Sequence, residues 1–161
     1  MSVGWGFDVH RFGGDPPVLL AGVAADLTRG LLGTSDADVV AHAVADALLG
    51  AAALGDLGDS FPPSDPRWDG ADSMELLRTV VGRFHAEGLR VAHLDVTIVA
   101  ESVRLTPVRE AVRAALADVL GIELGLVSVK ATTTDGLGFL GRDEGVAAVA
   151  VVTAFRPGAV S

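Results

Sequence analysis

Two apolar periods interleave along this 161-residue chain, and their order confines the fold more tightly than any other feature. Val3, Trp5, Phe7 and Val9 recur at every second residue, which predicts a strand over Val3 to Val9 with Asp8 and His10 on its other side. After the turn-forming run Gly13-Gly14-Asp15-Pro16-Pro17, the apolar stretch Val18 to Val23 predicts a second strand. The period then lengthens. An Ala/Leu/Val segment interrupted by His42 and Asp46 predicts a helix over about Asp38 to Ala53, capped by Ser35 or Asp36 and ending near Gly55. Leu76, Leu77, Val80, Val81 and Phe84 fall at helical spacing, as do Val108, Val112, Leu116 and Val119. Leu94, Val96 and Ile98 alternate as a strand between those helices, and Val127 to Thr134 and Val146 to Phe155 follow as two more. The order β-β-α-α-β-α-β-β predicts an α+β fold in which a small mixed sheet carries its helices on one face.

Residues 1–161 read as a single domain, since domains average roughly 150 residues and the proline- and acid-rich stretch Gly55 to Gly70 reads as a loop rather than a linker. A formal charge of -9 has the wrong sign for binding nucleic acid through its phosphates. No apolar run approaches the roughly 18 residues a membrane-spanning helix needs. The chain becomes strand-like almost at once after Met1, without a leader pattern, so a cytoplasmic location is expected. With no cysteine, any transition metal must be held by His and carboxylate.

Asp8 and His10, two apart on a strand, project to the same side and can share a cation. His42 stands four residues from both Asp38 and Asp46, either of which could orient its second ring nitrogen. Two imidazoles and one carboxylate with an open fourth position make up a catalytic zinc site, although spacing alone does not join His42 to the pair. His85 and His93 read as structural. Gly136-Leu137-Gly138-Phe139-Leu140-Gly141 matches the dinucleotide pattern G-x-G-x-x-G, but the strand-like segment after it is wrong for a Rossmann unit. Lys130-Ala131-Thr132-Thr133-Thr134-Asp135 offers hydroxyls and a carboxylate suited to phosphate and magnesium, or simply good strand residues. The carboxylates of Asp56 to Asp65 are explained equally well by a solvated turn.

Taken together, Phe7-Asp8-Val9-His10, Ser35-Asp36-Ala37-Asp38, Ala41-His42-Ala43, Asp46-Ala47-Leu48-Leu49-Gly50-Ala51, Gly55-Asp56-Leu57-Gly58 and Ala131 to Asp135 resemble the 2-C-methyl-D-erythritol 2,4-cyclodiphosphate synthase family over nearly the whole chain. The resemblance implies a cytoplasmic homotrimer with active sites between subunits, acting in the non-mevalonate route to isoprenoid precursors. The expected substrate is 4-diphosphocytidyl-2-C-methyl-D-erythritol 2-phosphate, whose own 2-phosphate displaces CMP and closes a cyclic diphosphate. By position, Asp8, His10 and His42 are the implied ligands of zinc or another divalent transition metal, and Asp135 of a magnesium or manganese ion bridging substrate phosphates. Thr133 would donate to the transferring phosphoryl group, and Thr34 and Ser35 would contact phosphate. Asp56 and Gly58 would contact the erythritol part, and Leu57, Phe61 and Asp65 are further implied substrate contacts. Ala100, Val103, Arg104, Leu105 and Thr106, with Ala131 and Thr132, would hold the cytidine end mostly through backbone groups, Thr134 is a further implied substrate contact, and Phe139 and Arg142 would complete the pocket. The family's trimers also enclose an axial channel that can hold an isoprenoid diphosphate near Arg142 and Glu144.

The sequence departs from the family pattern at several positions. Thr34 stands in place of a histidine, Pro63 in place of an acid that Ser64 or Asp65 could replace, and Asp135-Gly136 in place of Glu-Lys. Val103-Arg104 replaces Pro-Lys, and Asp143 the middle glycine of G-R-G-E-G. Two rival readings follow: a catalytically weakened metal-binding trimer with a ligand-binding or regulatory role, and a dinucleotide-binding oxidoreductase built on the glycine motif.

Overall fold

A computed structural model describes residues 1–158. Its seven strands are β1 (Ser2–Gly14), β2 (Val18–Leu20), β3 (Val23–Asp26), β4 (Gly30–Leu31), β5 (Arg90–Val99), β6 (Val127–Thr132) and β7 (Gly145–Phe155). The helices are α1 (Val39–Ala52), α2 (Leu57–Ser60), α3 (Ser73–Ala86), α4 (Arg109–Leu120) and α5 (Gly138–Gly141). Five strands form one sheet in the order β4-β1-β7-β5-β6, in which only β5 and β6 run parallel. The mixed sheet and its one-sided helical layer follow the sequence expectation.

Alternation decides what each face of the sheet does. Val146, Ala148, Ala150, Val152 and Ala154 of β7, with Leu94, Val96 and Ile98 of β5, are buried beneath the helices. On β1 the residues facing α1 include Gly4 and Gly6, and the approach is so close that a Cβ on Gly6 would lie 2.0 Å from the carbonyl oxygen of Ala43. A Cβ on Gly4 would lie 1.8 Å from that of Ala47. Small residues on both elements let helix and strand backbones meet, which explains why α1 is alanine-rich. Val3, Trp5, Phe7 and Val9 point to the opposite, uncovered face, with Trp5 62% exposed and stacked on Phe7.

Two expectations are corrected. Val18 to Val23 is not one strand but part of the β2-β3 hairpin, which forms a separate two-stranded sheet. Its turn, Ala21-Gly22, has positive φ at both residues, a conformation alanine does not advertise. Asp38 stabilises that turn by accepting the Ala21 and Gly22 N–H groups at 2.9 and 2.6 Å. Asp38 also caps α1, accepting from Val40 and Ala41, so the cap is neither Ser35 nor Asp36. The helix otherwise spans Val39–Ala52, within a residue of expectation at each end, and closes on Ala53 in the left-handed region.

The loop from Gly55 to Gly70 contains α2 and a 3-10 turn, Pro66–Trp68. The glycine motif itself folds into the single turn of α5, no longer helix follows it before β7, and β7 runs antiparallel to both neighbours, so the Rossmann reading has no structural support.

Candidate metal centre and phosphate-binding elements

Asp8 and His10 project from the helix-covered side of β1, and His42 meets them from the first turn of α1. Asp8 Oδ2 lies 2.9 Å from His10 Nε2 and 2.9 Å from His42 Nδ1, and the two imidazole nitrogens are 3.1 Å apart. Tetrahedral zinc with bonds of about 2.0–2.1 Å keeps its ligand atoms about 3.3 Å apart, so the three side chains already stand within a few tenths of an ångström of that arrangement. His10 Nδ1 donates to the Leu32 carbonyl at 2.7 Å, which leaves Nε2 with its lone pair facing the cluster in the neutral ring. Burial alone would raise the Asp8 carboxyl, but its close contacts with the His10 and His42 rings outweigh it and hold that group well below the usual carboxylate range. Burial likewise opposes charge on His10, yet its bond to Asp8 pushes the ring upward. A carboxylate and two imidazoles converging in this way form a site for a divalent cation.

The orientation of His42 differs from expectation. Neither Asp38 nor Asp46 touches its second nitrogen. Asp38 is committed to backbone donors, and Asp46 accepts the Leu57 N–H at 2.8 Å, with burial pushing its carboxyl up. Instead His42 Nε2 lies 2.9 Å from Ser73 Oγ and 3.0 Å from Ser35 Oγ. Ser73 in turn donates its hydroxyl proton to Asp36. Sequence reasoning missed Ser73 and the use of Asp36. They are 37 residues apart, and each reads locally as an ordinary residue beside a helix N-terminus.

A cavity of about 210 Å³ opens beside the cluster, walled by His10, Thr34, Ser35, His42, Leu57, Gly58, Phe61, Pro63, Trp68 and Leu76. Asp56 is not among its walls and instead caps α2, accepting from the Asp59 N–H. Asp65 is engaged by Arg67 on both oxygens and caps the following turn, and it does not line this cavity.

The remaining site residues lie elsewhere in the sheet. Val9, Ala147, Val99 and Thr132 form one row across β1, β7, β5 and β6. The loop 100–106 after β5 and the segment 131–135 therefore sit at the same end of the sheet as the cluster, but three strands away, roughly 14 Å. Ala100 is tied to β6 by its N–H to the Thr132 carbonyl at 3.1 Å, and Val103 and Leu105 are buried whereas Arg104 and Thr106 are exposed.

The three threonines differ in the fate of their protons. Thr132 Oγ1 donates to the Thr133 carbonyl and Thr134 Oγ1 to that of Leu137. Thr133 Oγ1 accepts the Asp135 N–H at 3.1 Å, which leaves its own proton free. Asp135 is exposed, with φ +56°. Ala131 extends β6 beside Ile98. Phe139 walls a second cavity of about 800 Å³ with Val9, Arg11, Phe12, Asp143 and Glu144, while Arg142 pairs with Glu144 at 2.6 Å and lines neither cavity.

The sequence profile of the YgbB family matches residues 1–155. The chain belongs to the YgbB family. It is 52% identical over 151 residues to the 2-C-methyl-D-erythritol 2,4-cyclodiphosphate synthase of Symbiobacterium thermophilum, covering 94% of this chain and 96% of that one. Its fold is similar to the bifunctional IspDF protein of Campylobacter jejuni, with TM-score 0.92 and 42% identity over 95% of this chain and 42% of that longer one. It is also similar to a solved 2C-methyl-D-erythritol-2,4-cyclodiphosphate synthase with CDP bound, with TM-score 0.86 and 32% identity over 95% of this chain and 99% of the other. This YgbB family chain is a cyclodiphosphate synthase, and the Asp8, His10 and His42 group accords with a metal-dependent lyase.

Proposed function

We propose that the chain converts 4-diphosphocytidyl-2-C-methyl-D-erythritol 2-phosphate to 2-C-methyl-D-erythritol 2,4-cyclodiphosphate and CMP, as a cytoplasmic homotrimer in the non-mevalonate route. The observation that carries the reading is the convergence of Asp8, His10 and His42 beside a cavity, on a chain about half identical to synthases over almost its full length. A 2-phosphate oxygen attacks the β-phosphorus, and the bond from that phosphorus to the oxygen bridging the α-phosphate breaks. CMP leaves with the bonding electron pair.

Asp8, His10 and His42 would hold zinc or a similar divalent transition metal, and Asp135 a magnesium or manganese ion on the substrate phosphates. Such ions polarise phosphoryl oxygens and neutralise the charge that spreads over them during transfer. The chain's own groups do the positioning. Thr133, alone among the three threonines, has a proton free to donate to the transferring phosphoryl group. Ser35 lines the cavity beside His42, its Oγ 3.0 Å from the ring Nε2. Leu57, Gly58, Phe61, Trp68 and Leu76 supply an apolar wall that suits a methylerythritol chain and excludes water.

Because the metal cluster on β1 and Thr133 after β6 lie three strand spacings apart in one sheet, a complete site requires the cluster of one subunit and the 131–135 segment of a neighbour. The uncovered face of Val3, Trp5, Phe7 and Val9 supports such an assembly. A related structure holds CDP, which supports a cytidine diphosphate group on the ligand.

The test incubates protein, zinc and magnesium with the diphosphocytidyl substrate and follows CMP and the cyclic diphosphate by chromatography. Both products are expected together, and neither from His42→Ala. Substrate binding without turnover in the parent would instead favour the weakened-trimer reading.

A further inference from the structure

We infer that Asp36 and Ser73 are positioning residues for the metal centre: together they hold the ring proton of His42 on Nε2 and keep the Nδ1 lone pair turned toward Asp8 and His10. The inference rests on the metal reading above and extends it to two residues outside the ligand set. Ser73 opens α3, and Asp36 lies in the segment before α1, so the pair joins two helices behind the ligand.

Proton bookkeeping along the chain of contacts carries the inference. Ser73 Oγ has one proton, and it goes to Asp36 Oδ1. The other Asp36 oxygen accepts the Ser73 backbone N–H at 3.2 Å, so one carboxylate grips both donors of the serine. With its proton committed, Ser73 Oγ turns only lone pairs toward His42 Nε2 at 2.9 Å. That nitrogen satisfies the contact by donating. A neutral imidazole has a single N–H, so Nδ1 is then left to bind a cation. Asp8 Oδ2, 2.9 Å from Nδ1, competes for the same ring proton. The Asp36–Ser73 pair tips the ring the other way. Ser73 is 1% exposed, so water does not stand in for it.

Partners of this kind raise the basicity of the ligating nitrogen and fix the ring's rotation, and their loss typically weakens metal binding roughly 10- to 100-fold. The arrangement also releases Ser35. Its oxygen lies 3.1 Å from Ser73 Oγ, and since Ser73 has no proton to give, Ser35 is the donor in that contact. An arriving phosphate oxygen can take that proton in exchange.

Zinc affinity of the metal-free parent, Ser73→Ala, Asp36→Asn and His42→Ala, measured by competition with a chromophoric chelator and accompanied by circular dichroism, tests the relay. Ser73→Ala and Asp36→Asn are expected to bind zinc roughly 10- to 100-fold more weakly than the parent. In ¹⁵N-histidine NMR the zinc-loaded parent shows His42 protonated on Nε2 with slow exchange, and Asp36→Asn and Ser73→Ala show that proton exchanging rapidly. A purely structural role would not move that signal. Parent-like zinc affinity in both folded variants, or a zinc-loaded parent with the His42 proton on Nδ1, overturns the relay while leaving the metal reading intact. A parent that binds zinc no more tightly than His42→Ala overturns both. If Ser73→Ala does not fold, Asp36→Asn and the parent spectrum decide.

Discussion

Thr34 forms part of the wall of the metal-side cavity, where the family pattern has a histidine. A threonine hydroxyl can donate one hydrogen bond but cannot carry charge, so one charge-assisted contact to a transferring phosphoryl group is lost. Each tenfold in rate corresponds to about 1.4 kcal/mol, and a donor of this kind is worth roughly one or two such factors. Thr34→His is therefore expected to raise turnover roughly 10- to 100-fold, measured as CMP release at saturating substrate. An unchanged or lower rate in the folded variant would exclude a limiting role for this position. Asp143 departs from the pattern with a different result. Its φ of +58° explains why glycine suits the position, and its carboxylate accepts from Arg29 at 2.9 Å and from Ser102 at 2.6 Å. The strain is accompanied by a new tie between the 100–106 loop and the segment preceding β7.

Elements depend on two close approaches. The first is α1 on β1, made possible by Gly4 and Gly6 opposite Ala47 and Ala43. Gly6→Ala would drive a methyl group into the helix backbone and move His42 away from Asp8 and His10. It is expected to cost about 2 kcal/mol or more in urea unfolding and to weaken zinc binding in the same protein. The second is Arg29, which stacks on Phe12 with 4.1 Å to the ring centroid and joins Asp26, Asp143 and Ser102. Hydrogen bonds from the Thr28 hydroxyl and backbone, followed by Arg29, hold the Asp26 carboxyl down at about 2. A depressed carboxyl stabilises the fold above its ordinary value of 3.8, and that contribution disappears as pH falls through about 2. Asp26→Asn should lower Tm near neutrality and flatten its decline over that acid window. A parent-like acid slope would show that the bonds do not persist in solution.

Among the described residues the apolar outer face of β1 is left uncovered, and that face is continuous with half-exposed Val149 and Val151 on β7. Phe7→Asp is expected to yield a monomer by analytical ultracentrifugation, with helix content and zinc binding retained because all three metal ligands belong to one chain. Turnover should vanish with the trimer. A second consequence concerns division of the site between subunits: His42→Ala and Thr133→Ala, each inactive alone, should regain partial turnover when refolded together, because some neighbouring pairs then combine an intact cluster with an intact Thr133. No recovery would place the whole site within one chain.

Period and spacing in the sequence were sufficient for the order of the main strands and helices, for the α+β class and for the shared side of Asp8 and His10, because all of these depend on contacts within a few residues. The ordered motif blocks extended that to the family and its ligand set. Tertiary structure alone decided the rest. It set Asp38 as a double anchor for α1 and the Ala21-Gly22 turn, and brought Ser73 and Asp36 behind His42. It also turned Val3, Trp5, Phe7 and Val9 outward. Alternation states that two faces differ but not which one meets the helices. That choice follows from size: glycine and alanine allow α1 and β1 to meet backbone to backbone, and the bulky residues are left to the other side.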